Sequence, residues 1–151
     1  MPDLTFLNSI GVNVIPHALL KDFTTFRLGG PCPALIECPD AQKLQQTIAA
    51  LRNKGIDFVL MGFGSNILAS DNGINGVVIR YCSPTPLITR TGNRLTVDAA
   101  TELDHLILRA IREGLEGMTA FSGIPGTVGG GLAGNAGAYG QQISSPLIEL
   151  T

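Results

Sequence analysis

The sequence has no tryptophan, two histidines and three cysteines, and charged residues make up only 15% of it. Each shortage excludes something. Cys32, Cys38 and Cys82 are odd in number, and Cys32 and Cys38 do not form a C-x-x-C pair. A disulfide framework or a zinc site is therefore excluded, and the three read as buried reduced thiols. His17 and His105 stand alone, without a metal-ligand partner at helical or loop spacing, which leaves them surface or packing roles and predicts no metal site. The net charge is −2 and no cluster of Lys and Arg occurs. Nucleic acid and anionic membrane both need a basic footprint, so neither is an expected partner. No apolar run reaches the length of a membrane span, and the first residues lack the basic start and long apolar core of a secretory signal. The expected location is the cytoplasm. A hydrophobic content of 44% places the chain among globular proteins.

Several catalytic signatures are missing as well. Without G-x-x-x-x-G-K-[ST] there is no P-loop, and no G-x-G-x-x-G opens a helix as in a Rossmann site. A G-x-S-x-G nucleophile elbow is absent. Ser122 has no histidine near it in sequence, and the carboxylates are too scattered to suggest an acid/base pair.

What the chain does have is glycine: 19 residues, ten of them between Gly114 and Gly140. The tract Gly123-Ile124-Pro125-Gly126-Thr127-Val128-Gly129-Gly130-Gly131, with Asn135-Ala136-Gly137-Ala138-Tyr139-Gly140 after it, lies in a stretch without charge from Gly117 to Ile148. Neutral, glycine-dense backbone suits the close enclosure of a bulky ligand. If that ligand carries phosphates, main-chain amides must balance them here, because the stretch contains no Lys or Arg. A set of tight turns is the alternative. A second glycine turn, Gly62-Phe63-Gly64-Ser65-Asn66, follows an apolar run directly. It reads either as a plain turn or as a cradle of N–H groups for phosphate oxygens.

Patterning predicts an α+β fold. Leu35–Cys38, Phe58–Met61 and Val77–Arg80 read as short buried strands. Apolar residues Ala41, Leu44, Ile48 and Leu51 predict a helix from Asp40, its N-cap, to Lys54. Leu87–Thr91 and Arg94–Asp98 flank Gly92-Asn93 as a hairpin. A second helix is predicted from Thr101, with Asp104 completing a capping-box variant. Leu103, Leu106, Ile107, Ala110 and Ile111 form its apolar stripe, and Gly114 ends it. The division expected is a first subdomain over 1–70 and a second over 71–151.

Thr24-Thr25-Phe26-Arg27-Leu28-Gly29-Gly30, the turn Gly62 to Asn66, Gly123 to Gly130, and Asn135 to Gly140 together resemble the T-F-R-x-G-G, G-x-G-S-N, G-I-P-G-T-V-G-G and N-A-G-A-Y-G motifs of the UDP-N-acetylenolpyruvoylglucosamine reductase family. The four stand in the family's order and spacing, over nearly the whole chain. The resemblance implies a two-subdomain FAD-binding fold of the vanillyl-alcohol-oxidase/p-cresol-methylhydroxylase type, with FAD held non-covalently between the subdomains and NADPH as co-substrate. It implies pyrophosphate contacts from Gly62, Gly64, Ser65 and Asn66, and from backbone near Thr127 and Gly130, with Phe63 and Gly129 also counted among the cofactor-binding residues. Ser122, Gly123, Ile124 and Pro125 would line the flavin and adenosine path. Asn135, Ala136, Gly137 and Tyr139 would close the site. The implied reaction converts the enolpyruvyl UDP-sugar to UDP-N-acetylmuramate for peptidoglycan synthesis. The family's tyrosine–arginine segment, proton-donating serine, late glutamate and UDP-sugar-binding domain would lie beyond Thr151, so no catalytic residue is expected in this chain. Phe63, Gly131, Gly134 and Thr119 depart from the family's pattern. The FAD domain of another flavin oxidoreductase of the same fold, or a flavin-binding module without turnover, are the alternatives.

Overall fold

The structure, a computed structural model, describes residues 2–151. The chain divides into two compact units, Met1–Pro84 and Thr85–Thr151.

The first unit is built on a four-stranded sheet with strand order β1-β2-β4-β3, where β1 is Asn13–Pro16, β2 Ala34–Cys38, β3 Phe58–Met61 and β4 Val77–Tyr81. β1 is antiparallel to β2, and β2, β4 and β3 run parallel. The two central strands, ALIEC and VVIRY, are the most continuously apolar, as strands covered on both faces must be. Helix α1 (Ala41–Asn53) connects β2 to β3. Asp40 caps it as the spacing predicts, its carboxylate accepting the Lys43 amide at 2.7 Å. On the face toward α1, the Cys38 thiol donates to Thr47 Oγ1 at 3.6 Å. On the other face Leu35, Met61 and Val78 bury against Ala18, Leu20 and Cys32.

β4 is where the organisation departs from the sequence reading. The strand was expected to open the second subdomain, with a division after residue 70. It instead lies between β2 and β3, paired to both, and the first unit continues to Pro84. A parallel strand reaches its place by a crossover, and β4 inserts between two strands that both precede it in the chain.

The second unit contains the hairpin β5 (Ile88–Thr91) and β6 (Arg94–Val97), helices α2 (Leu103–Arg112) and α3 (Val128–Ala133), and a two-residue hairpin, β7 (Gly137–Ala138) with β8 (Gln141–Gln142). Its core gathers Leu103, Leu106 and Ile107 from α2 with Phe121, Val128 and Ile143. Ile111 lies at the margin of the predicted stripe and is exposed.

The predicted capping box at Thr101 and Asp104 does not form. Glu102 occupies the N-cap and makes no side-chain cap bond. Thr101 is drawn into backbone pairing, with its carbonyl accepting from Val128, and its buried hydroxyl meets no partner. Helix α3 was not anticipated either. Its sequence, VGGGLA, has three residues that each cost about 1 kcal/mol relative to alanine in a helix interior. It forms because Thr127 caps it and Val128 anchors it in the core.

Candidate functional site

In the first unit, two of the glycine-bearing motifs form one structure. Residues 24–30 fold into a closed loop in which the buried Thr24 hydroxyl donates to the Leu28 carbonyl at 3.0 Å and the Arg27 amide to the Thr24 carbonyl at 3.1 Å. The loop sits on the Gly62–Asn66 turn, and the Thr25 amide donates to the Gly64 carbonyl at 3.2 Å. Gly64 has φ +69°, and a Cβ there would stand 2.3 Å from the Phe23 carbonyl oxygen. This glycine is thus required by the approach of the protein's own backbone, before any ligand is considered. Gly30 is similar: its Cβ would stand 2.0 Å from the Asp71 carbonyl oxygen.

The turn also carries unused donors. Among the described residues, the backbone N–H groups of Phe63, Gly64 and Asn66 meet no acceptor. Phe63 and Asn66 are exposed, whereas Gly64 is buried. Free amides close together just after a strand offer partial positive charge, which suits the oxygens of a phosphate or pyrophosphate.

The second unit organises its glycine tract differently. Residues 99–103, leading into α2, run antiparallel to 126–129, leading into α3. The amide of Leu103 donates to the Gly126 carbonyl at 2.9 Å, that of Val128 to Thr101 at 2.8 Å and that of Gly129 to Ala99 at 2.9 Å. The Gly130 amide is taken by Thr127 Oγ1 at 3.1 Å. The amides of Val128, Gly129 and Gly130 are therefore engaged within the protein. The sequence could not reveal this, because the acceptors of Val128 and Gly129 lie about 30 residues earlier in the chain. Asp104, freed from capping, holds the amide of Gly123 at 3.0 Å.

Beyond this clasp, Ser122, Gly123 and Pro125 are exposed and Ile124 is half-buried. Ala136 is half-buried and its carbonyl accepts the Ile143 amide at 2.9 Å, while the Asn135 side chain accepts the Ser144 amide at 3.4 Å. Gly137 is exposed in β7. Tyr139, at the hairpin tip, has φ +52° and is 91% exposed. An aromatic residue held in the left-handed region with its ring in solvent is uncommon, and such backbone outliers gather at ligand sites. The predicted residues thus form two groups, 62–66 in one unit and 122–139 in the other.

Cys32 and Cys38 are buried and Cys82 is half-buried. Burial raises the pKa of Cys32, Cys38 and Cys82 above the ordinary thiol value. Among the described residues no cluster of three or more His, Cys, Asp or Glu could hold a metal, and no helix is long and apolar enough to cross a membrane.

Residues 32–150 match the model of a family described as FAD binding domain. The UDP-N-acetylenolpyruvoylglucosamine reductase of Thermobifida fusca (strain YX) is 38% identical over 135 residues, which are 87% of this chain and 38% of that protein. The solved UDP-N-acetylenolpyruvylglucosamine reductase of Thermus caldophilus superposes with a TM-score of 0.66 at 33% identity, over 87% of this chain and 44% of that one. A Physcomitrella patens BBE-like 1 variant shares the fold, with a TM-score of 0.53 at 17% identity, over 71% of this chain and 25% of that one. The chain spans between 38% and 45% of the length of the curated relatives it matches.

Proposed function

The chain belongs to the FAD binding domain family, and from that premise we propose that it is the FAD-holding portion of a cytosolic, NADPH-dependent reductase that converts the enolpyruvyl ether of UDP-N-acetylglucosamine to UDP-N-acetylmuramate. The observation that carries the reading is the joining of the Thr24–Gly30 loop to the Gly62–Asn66 turn through Thr25 and Gly64, where three amides of the turn meet no acceptor among the described residues. Relatives named for that reductase, aligned over most of this chain, support the substrate.

Phe63, Gly64 and Asn66 hold the pyrophosphate of FAD through their main-chain N–H groups, with Gly62 and Ser65 shaping the turn. Exposed backbone at Ser122, Gly123, Ile124 and Pro125 lines the flavin. Asn135, Ala136, Gly137 and Tyr139 present a rim. Thr127, Gly129 and Gly130 act one step back: their bonds to each other and to Ala99 fix where the Ser122–Pro125 segment begins and ends. Bound FAD supplies a ring that accepts a hydride from one substrate and delivers it to another. The chain's own part is to orient that ring and keep water from it. Gripping the UDP-sugar and protonating the product fall to residues outside these 151.

Two measurements test this. FAD fluorescence titrated with the purified chain should saturate at one flavin per chain, and an absence of saturation overturns the binding role. Full-length protein should oxidise NADPH only when the enolpyruvyl UDP-sugar is present. Oxidation that ignores this substrate while FAD is bound points to another flavoenzyme of the same fold.

A further inference from the structure

We propose that Arg27 is the cation that steadies the pyrophosphate of FAD on the Phe63–Asn66 turn, an inference that rests on the FAD-binding reading above. Arg27 lies two residues beyond Thr25, whose amide is bonded to Gly64 in the middle of that turn. The loop that carries it is closed on both sides of the arginine, by Thr24 Oγ1 to the Leu28 carbonyl and by the Arg27 amide to the Thr24 carbonyl. This closure holds Arg27 at φ +53°, a conformation that L-residues other than Asn and Asp seldom adopt. The side chain is exposed.

The other cations of the first unit narrow the choice. Lys43 donates to the Gly11 carbonyl at 3.0 Å and Arg80 pairs with Glu37 at 3.2 Å. Arg52 and Lys54 lie over the rings of Phe58 and Phe6, at 6.0 and 5.9 Å. Among the described residues of this unit, only Lys21 and Arg27 have no such partner, and both belong to the segment that backs the turn. Lys21 is at the stem, bonded through its amide to the Gly29 carbonyl, whereas Arg27 is at the tip beside Thr25. Three neutral amides carry only partial positive charge, which leaves a doubly charged pyrophosphate without a full counter-charge. A guanidinium supplies one, because its planar fork matches two phosphate oxygens at once. The stretch from 117 to 148 has no cation to offer, so the charge must come from elsewhere in the chain.

The test is a fluorescence titration of the whole chain with FAD and, separately, with riboflavin, which has the same ring and no phosphate. Wild type, Arg27→Ala, Arg27→Lys and Arg27→Gly are compared at low and high salt. Arg27→Ala should weaken FAD about tenfold and flatten its salt dependence, while riboflavin changes by less than about twofold. Arg27→Lys should recover part of the loss. Arg27→Gly, which suits the left-handed backbone, should lose FAD affinity as alanine does, yet melt no lower than wild type. The proposal is overturned if Arg27→Ala keeps FAD within about twofold, or if riboflavin weakens by the same factor, which would mark a structural role. Failure of the underlying reading looks different: the wild-type chain would then take up neither flavin.

Discussion

The carboxylate of Asp104, in the first turn of α2, accepts the amide of Gly123 across 19 residues of sequence at 3.0 Å. It is the side-chain tie between that helix and the segment Ser122–Pro125. Asp104→Leu removes a charge-assisted bond and should cost about 1.5–3 kcal/mol of stability at most, less where water replaces the acceptor. FAD affinity should fall with it, since the segment is no longer held in place. Asp104→Asn keeps an acceptor oxygen and should lie near wild type in both. Thermal melts paired with FAD titration decide; an unchanged FAD affinity in Asp104→Leu removes the segment from the site.

Two glycines with similar φ should respond to substitution to very different degrees. A methyl added at Gly123 (φ +82°) would meet nothing within 4 Å, while one at Gly64 (φ +69°) would face the Phe23 carbonyl at 2.3 Å. Gly123→Ala should cost only the left-handed penalty, about 1–2 kcal/mol. Gly64→Ala adds a backbone clash and should displace the loop from the turn, visible as a larger drop in melting temperature and a loss of FAD uptake together. Equal stabilities for the two variants would contradict this packing.

Thr127→Val deletes the N-cap of α3 while keeping the side chain's volume. The Gly130 amide loses its 3.1 Å acceptor, and about 1 kcal/mol of stability should go with it. For a chain of this size that is a fall of about 2–4 °C in melting temperature. Amide exchange in Gly130 to Gly134 should accelerate more than in α2.

The thiols set an upper pH limit. Burial raises all three, so each is neutral in the folded chain at a pH where it would already ionise in the unfolded one. Their contribution is complete below the ordinary thiol pKa of 9.0 and is lost as pH rises through the higher folded values. Chemical unfolding should show stability declining above about pH 9, and less steeply in Cys38→Ala. Labelling by a thiol reagent at pH 8 should be slow until denaturant is added.

FAD should leave with acid. Covalent attachment needs a nucleophilic side chain beside the ring, and neither histidine lies in a glycine tract, while Cys32 and Cys38 are buried. Flavin colour that stays in an acid-precipitated pellet would refute the non-covalent reading. The same 151 residues should show no substrate-dependent NADPH oxidation; turnover within about a hundredfold of the full-length protein would mean that the reacting groups are here after all.

Much of the local structure was legible because it is decided locally. The Asp40 cap, the apolar spacing of α1, the runs of β2 and β4 and the Gly92 turn each depend on residues within a few positions of one another. The motif residues could likewise be picked out, since an excess of glycine is visible without coordinates.

What the glycines are for was decided by tertiary contacts. Gly64 and Gly30 have no side chain because carbonyls from Phe23 and Asp71 occupy the space. The three glycines 129–131 look like open loop and are helical, because Thr127 and the strand-like residues 99–101 hold the start of that helix. β4 joined the first unit because its partners, β2 and β3, lie 43 and 19 residues before it in register. Composition and spacing settle which residues are unusual. Only the folded chain, which brings Thr25 to Gly64 and Asp104 to Gly123, settles which backbone groups are spent inside the protein and which keep no partner among the described residues.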